Sequence, residues 1–287
     1  MRFDTVVCTG GSGRLGRYVV DHFAGRCALT VVDVRPPTGD VRYVSASITD
    51  ADALRRAFAG QEAILHLAAI SNPRITTPEV TFRTNVHGTW AVLEAAEAAG
   101  VRRAVVTSSD AATGLHYNPR NWSPQYLPID ECHPLRPTEV YSLSKEMTEA
   151  ICRSYANRGA LEVIVIRPTH IVFPPEWPEL PARGRDVHNY HLWSYVEPED
   201  VAAAFERALD LGTTRYDCFF ISAPDTLAER PTLDLIRERF GSLPEIRRPD
   251  VYATRPTAAL WDISRAREVL GLEPRSDWRR LVSQRSA

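Results

Sequence analysis

Val6-Val7-Cys8-Thr9-Gly10-Gly11-Ser12-Gly13-Arg14-Leu15-Gly16-Arg17-Tyr18-Val19-Val20 is the stretch on which the architecture of this 287-residue chain turns. The run from Phe3 to Cys8 is rich in β-branched residues and reads as a buried strand, while Leu15 to Phe23 has helical apolar spacing. Between them, Thr9 to Gly16 satisfies both G-x-G-x-x-G and T-G-x-x-G-x-x-G. A glycine-rich turn between strand and helix lets backbone N–H groups approach a pyrophosphate, where the helix dipole favours negative charge. The pattern predicts a dinucleotide site at Gly10, Gly13, Arg14, Leu15 and Gly16.

Working outward, residues 28–34, 41–45, 62–68 and 103–108 read as further strands, separated by helical patterns at Ala51–Ala59 and Pro78–Ala99. That βαβαβ order implies an α/β fold, a doubly wound parallel sheet of the Rossmann type. A long helix from about Thr138 to Ala156 and a strand at Leu161–Arg167 follow. Beyond Pro168 the texture changes to a proline-rich, charged loop at Pro174–Arg185. A helix beginning near Glu199, a strand at Cys218–Ser222 and helices at Leu233–Phe240 and Ser264–Leu270 complete the pattern. With no repeat and no long linker, the expectation is one compact body. Residues 1–167 form its dinucleotide-binding domain, and 168–287 a small α/β lobe capping the carboxyl edge of the sheet.

A formal charge of −2 leaves no basic surplus for a nucleic acid or an anionic membrane. No apolar run approaches bilayer-spanning length and no leader precedes the first strand, so the expectation is a cytoplasmic protein with a small-molecule substrate. The five cysteines are scattered and lack a C-x-x-C pair, which points away from disulfides and from a metal site.

Asp33 ends the second strand at the distance where a carboxylate receives the hydroxyls of an adenosine ribose and repels a 2′-phosphate, favouring NAD over NADP. Arg14 and Arg35 lie nearby, either as solvated side chains or as partners for such a phosphate. Lys145 is the only lysine among 34 lysines and arginines. An ammonium can tune the pKa of a neighbour in a way a guanidinium cannot, so this position is expected to use that chemistry. Tyr141-Ser142-Leu143-Ser144-Lys145 puts a phenol and that ammonium at i and i+4 on one helical face. The ammonium, and a bound nicotinamide's positive charge, are expected to lower the phenol's pKa so that it can exchange a proton while the cofactor exchanges a hydride. Ser109, at the end of Val105-Val106-Thr107-Ser108-Ser109, offers a hydroxyl at the same sheet edge.

Together these residues resemble the extended short-chain dehydrogenase/reductases, the superfamily of nucleotide-sugar epimerases, dehydratases and related dehydrogenases. The likeness spans nearly the whole chain. It runs through Thr9–Gly16, His66-Leu67-Ala68-Ala69, Thr84-Asn85-Val86-His87-Gly88-Thr89, Thr107-Ser108-Ser109, Ile129-Asp130-Glu131, Tyr141 and Lys145, Arg167-Pro168, and Tyr195-Val196-Glu197-Pro198-Glu199-Asp200-Val201. It implies that Tyr141 is the acid/base, that Lys145 orients it and binds the ribose, and that Ser109 binds the reacting oxygen. It further implies that Leu67, Ala68, Ala69, Asn85, Thr107 and Pro168 surround the cofactor, with Ser47 and Ile48 near the adenine. Ser47 stands where the family often has an aspartate. Ser109-Asp110-Ala111 replaces the Thr-Asp-Glu of the sugar dehydratases and removes their elimination base. The family also implies a homodimer built on the helices beginning near Pro78 and Thr138.

The interval from Pro168 to Tyr195 is short for a nucleotide handle, so a compact substrate is expected, and the uronate dehydrogenases look most similar. The arginine that holds their sugar carboxylate would fall near Tyr190 or His191, where this chain has none. Ser71, Asn72, Ser109, Asp110 and His170 are the expected substrate-side residues. Arg183 and Arg185 read as a carboxylate clamp or a solvated pair, and Trp177 and Trp193 as a sugar-stacking wall or core packing. The expected activity is an NAD-dependent dehydrogenase or ketoreductase acting on a sugar-like or other small polar molecule. The alternatives are an epimerase with tightly held NAD and a non-catalytic dinucleotide sensor.

Overall fold

A computed structural model describes residues 1–283. β1 (Thr5–Thr9) passes over the glycine turn into α1 (Arg14–Phe23), and β2 (Ala28–Asp33), β3 (Arg42–Ser45), α2 (Ala51–Phe58) and β4 (Ala63–His66) follow. The single helix expected at Pro78–Ala99 is continuous but not uniform. α3 (Pro78–Phe82) runs through a wider, π-helical turn at Arg83–His87 into α4 (Gly88–Ala98). Such turns favour functional sites, and this one carries the buried Asn85. β5 (Arg103–Thr107), β6 (Tyr126–Leu127), α5 (Val140–Arg158) and β7 (Glu162–Pro168) come next. The remaining elements are α6 (Leu180–Arg185), α7 (Pro198–Asp210), β8 (Tyr216–Ile221), α8 (Thr232–Phe240), β9 (Glu245–Ile246), α9 (Pro249–Thr254), α10 (Ser264–Leu270) and α11 (Trp278–Ser283).

Seven strands pair in the order β3-β2-β1-β4-β5-β7-β8, every pairing parallel. Parallel strands are covered on both faces, which is why Val6-Val7-Cys8 and Val163-Ile164-Val165-Ile166 are continuous apolar runs. One face packs against α1 and α7, the other against α2, α4 and α5. The direction of winding reverses between β1 and β4, so the carboxyl ends of β1, β4, β5 and β7 open onto a crevice where such sheets bind ligands. His66 ties two of those ends internally. Its Nδ1 lies 2.7 Å from Thr9 Oγ1 and its Nε2 3.1 Å from Thr89 Oγ1. Burial, with the Lys145 charge behind it, pushes the ring down to about 3, so it stays neutral.

The segment Pro174–Arg185, expected as a loop, is helical: a 3₁₀ turn at Pro174–Glu179 runs directly into α6. Pro174 and Pro181 stand in first turns, where a missing N–H costs nothing, so proline density misled the reading. α6 docks tightly on the lobe, since a Cβ at Gly184 would lie 2.1 Å from the Leu227 carbonyl oxygen. Chain segments cross the division expected at residue 167 in both directions. β8 extends the main sheet beside β7, and β6 pairs with β9 in a small second sheet. β6, β9, α9 and α11 went unforeseen because each is too short for a periodic signal.

Candidate active site

A cleft of about 420 Å³ runs from the glycine turn, past the strand ends, to the Tyr190–His191 segment. At its first end the backbone does the work. Gly10 has φ +80°, and a Cβ there would sit 2.4 Å from the Ala68 backbone nitrogen. A Cβ at Gly16 would sit 2.2 Å from the Gly10 carbonyl oxygen. No side chain caps α1 at Gly13, and its first turn holds no acidic residue, so its N–H groups are left for an anion. This cradle fits a pyrophosphate. Asp33 spends its carboxylate on the turn, accepting from the Ser12 and Arg35 N–H groups at 3.0 and 3.2 Å. Arg35 lines the cleft beside it.

Gly10, Gly13, Arg14, Leu15, Gly16, Leu67, Ala69, Thr107, Pro168, Tyr141 and Lys145 all line this cleft, as do Ser71, Asn72, Ser109, Asp110 and His170. Ala68 lies behind the lining, against Gly10. Asn85 does not face the cavity; it clamps the loop that does. It accepts from Ile70 N at 2.7 Å and donates to Ile70 O and Ser144 Oγ, each at 2.9 Å, which holds the backbone leading into Ser71 and Asn72. Ser47 and Ile48 are not brought to the lining. Ser47 is half-buried and bonds Thr49 at 2.8 Å, while the Ile48 side chain is buried beneath Gly88.

α5 presents the phenol and the ammonium. Glu139 caps the helix, accepting from the Tyr141 and Ser142 N–H groups at 2.6 Å each, so the first turn is rigid. Lys145 Nζ donates to the Thr107 carbonyl at 2.9 Å and sits 5.8 Å from the Tyr141 ring centre. Burial pushes Lys145 down to about 8 against the pull of Glu149. Glu149 itself receives Arg167 through Nε and Nη2 at 2.7 and 2.6 Å, and Ser108 Oγ at 2.6 Å. The expectation that Lys145 lowers the Tyr141 pKa is corrected here. Burial raises the phenol well above its usual range, and hydrogen bonding by Ser109 opposes this only in part. The desolvation cost of a buried phenolate exceeds what an ammonium directed at Thr107 returns.

At the far end, side chains from distant segments converge. Glu176 accepts from Arg14 at 2.6 Å and Arg183 at 3.0 Å, and meets His170 Nε2 at 2.8 Å. Burial raises its carboxyl, but these three partners outweigh it and hold it at about 2. Arg183 is therefore already paired, with Glu179 as a second partner at 2.7 Å. Arg14 also lies over the Phe173 ring, 4.1 Å from its centre. The His170 and His191 rings stack at 3.9 Å, and burial lowers His191 well below the usual histidine range. Tyr117 and His116 line the cleft and were not foreseen, while Tyr190 and His191, where the relatives' arginine was expected to fall, line it too. Trp193 is wholly buried and Trp177 packs on the lobe core, so neither forms the imagined wall.

Residues 6–183 match the NAD dependent epimerase/dehydratase family. The chain is 29% identical over 259 residues to an L-arabinose 1-dehydrogenase (NAD(P)(+)) of Haloferax volcanii, covering 88% of this chain and 97% of that protein. It is 29% identical over 170 residues to a uronate dehydrogenase of Pseudomonas syringae, covering 58% of each. A short-chain dehydrogenase/reductase superfamily protein from Agrobacterium tumefaciens, solved with bound NAD, superposes with a TM-score of 0.75. It is 25% identical and is matched over 97% of this chain and 95% of its own length.

Proposed function

The chain belongs to the NAD dependent epimerase/dehydratase family, and on that premise we propose that it is an NAD-dependent dehydrogenase oxidising a hydroxyl of a sugar-like or other small polar substrate without a nucleotide handle. The observation that carries the reading is one cleft joining the glycine cradle to Tyr141, Lys145 and Ser109. When bound, NAD supplies the hydride acceptor and a positive charge. Gly10, Gly13 and the first turn of α1 would hold its pyrophosphate, and Asp33 its ribose, with Arg35 able to meet a 2′-phosphate. Tyr141 takes the hydroxyl proton in oxidation and returns it in reduction. Lys145 anchors to Thr107 and supplies a cation beneath the phenol, while Ser109 orients the reacting oxygen.

The substrate end pairs its charges internally, Arg14 and Arg183 on Glu176 and His116 on Asp110. That supports an uncharged hydroxylated substrate, such as the aldose named for the arabinose relative, over a uronate. Ser71, Asn72, Asp110, His170 and the neutral His191 are its hydrogen-bonding partners. Pro168, His170, Tyr190 and His191 supply part of the far wall, together with His116 and Tyr117 from before residue 167. Exposed Phe82, Trp90, Leu143 and Met147 on α3, α4 and α5 support a homodimer on those helices. No helix among the described residues is long and apolar enough to cross a membrane, and we place the protein in the cytoplasm. An epimerase that retains its cofactor is the second reading, favoured by the Arg14–Glu176 pair that links the glycine turn to the far wall.

The test is a screen for reduced nicotinamide with NAD and NADP separately against aldoses, polyols and uronic acids. Reduction of NAD by aldoses or polyols is expected. Tightly held NAD that no substrate reduces would overturn the dehydrogenase.

A further inference from the structure

Ser109, Asp110 and His116 form a chain of buried contacts beside the phenol. Ser109 Oγ donates to Asp110 Oδ1 at 3.0 Å and accepts from the Ala111 N–H at 3.1 Å. The other carboxylate oxygen, Oδ2, lies 2.9 Å from His116 Nε2. That contact is close but poorly aligned, and neither atom has another partner among the described residues. His116 Nδ1 lies 2.8 Å from the Tyr190 carbonyl oxygen. Asp110 and His116 are 4% and 2% exposed, so neither falls back on bulk water.

A carbonyl oxygen only accepts, so Nδ1 carries a hydrogen. In a neutral ring Nε2 would then turn a lone pair on a carboxylate oxygen at 2.9 Å, setting two acceptors against each other. A second ring proton removes the conflict and leaves an ion pair of zero net charge. The surroundings agree. Burial lowers His116, but the adjacent Asp110 charge, with the Tyr190 carbonyl, outweighs it and raises the ring above the usual histidine range. Arg239 opposes this, and the other rings facing His116, His191 at 5.7 Å and Trp261 stacked at 6.0 Å, are neutral.

We propose that His116 is a positioning residue: as a buried imidazolium it fixes Asp110, which in turn holds the Ser109 hydroxyl in place beside the reacting oxygen. The only Ser109 hydroxyl hydrogen is directed at Asp110, and one lone pair takes the Ala111 N–H. Both contacts fix the rotamer of Ser109, and so where its oxygen stands relative to the reacting one. The inference rests on Ser109 as the ligand of the reacting oxygen.

Nitrogen-15 histidine spectra of the full chain without substrate, at neutral pH, should show His116 protonated on both ring nitrogens. In Asp110→Asn the amide donates to a neutral Nε2, and one ring proton should disappear with the geometry kept. In kinetics, His116→Phe should raise KM for the alcohol at least about 10-fold, the scale of a lost charged hydrogen bond, and move KM for NAD less than about two-fold. His116→Gln, whose amide reaches Asp110, should recover most of that loss. A singly protonated His116 in the unmodified chain would overturn the proposal, as would equal losses of alcohol and NAD binding in His116→Phe with no recovery in His116→Gln. A chain that turns over no alcohol sinks the dehydrogenase reading instead, because the spectra read the His116 proton without any substrate.

Discussion

At the cofactor end of the cleft, recognition is made of backbone: Gly10, Gly13, Gly16 and the uncapped first turn of α1, all within one short stretch of chain. At the end we propose for the substrate, the cleft is lined by side chains: Asp110 and His116 after β5, His170 after β7, and His191 before α7, with Glu176 bonded to His170 from before α6. The first end is local, so a wrong residue fails by steric overlap. The second is assembled from segments far apart in sequence, so a wrong residue fails through an unpaired charge or a lost proton. Where a site is built this way, cofactor and substrate binding respond to different substitutions.

The largest effect should fall between the two ends, at the phenol. Tyr141→Phe should lower kcat by roughly 10²–10⁴-fold, the usual worth of a general acid/base, with NAD affinity nearly unchanged by fluorescence titration. Activity within a few-fold of the unmodified chain would remove Tyr141 from the proton's path. At the backbone end, Gly16→Ala would drive a methyl to 2.2 Å from the Gly10 carbonyl. The overpacking should cost about 1–3 kcal/mol and most of the NAD binding, readable as a lowered Tm that NAD no longer raises. Unimpaired NAD binding would break the contrast between the two ends.

Lys145 offers a pH test. Burial holds it near 8 in the folded chain, below the 10.5 of an unperturbed lysine. The unfolded chain keeps this proton longer, so the group's contribution to stability rises with pH from about 8 to 10.5 and is lost as pH falls through 8. Lys145→Met removes the cost of the buried ammonium. Its advantage in stability, on the order of 3 kcal/mol at neutral pH, should shrink as pH rises through that window. A gap independent of pH in denaturant titrations would contradict the depressed lysine. The smallest effect belongs to Glu176→Gln, whose carboxylate is partly exposed and partly screened. It should release Arg14 and speed NAD dissociation by a few-fold in stopped flow, roughly 1 kcal/mol.

The same contrast explains what could be read from sequence. The glycine turn, Tyr141 and Lys145 were legible because each depends on spacing within one element. The lone lysine marked itself in a chain that otherwise uses arginine. The tuning between them was not legible, because whether an ammonium lowers a phenol depends on burial, and here burial wins. Asn85 was found, but its task, clamping Ile70 from a π-helical turn, needed coordinates. His116 could not be singled out, since nothing in Gly114-Leu115-His116-Tyr117 says that Tyr190 and Asp110 will both face its ring. Glu176 was hidden by its prolines, which made a structured helical segment look like a loop.

The most direct test of the account is the fate of the hydrogen on the carbon bearing the reacting hydroxyl. An aldose or polyol deuterated at that carbon is incubated with the chain and NAD, and the nicotinamide is analysed by mass. The account predicts deuterium in the released, reduced cofactor from the unmodified chain, and its appearance slowed roughly 10²–10⁴-fold in Tyr141→Phe. Deuterium that stays with the sugar, on a carbon of inverted configuration, would contradict it and make the protein an epimerase.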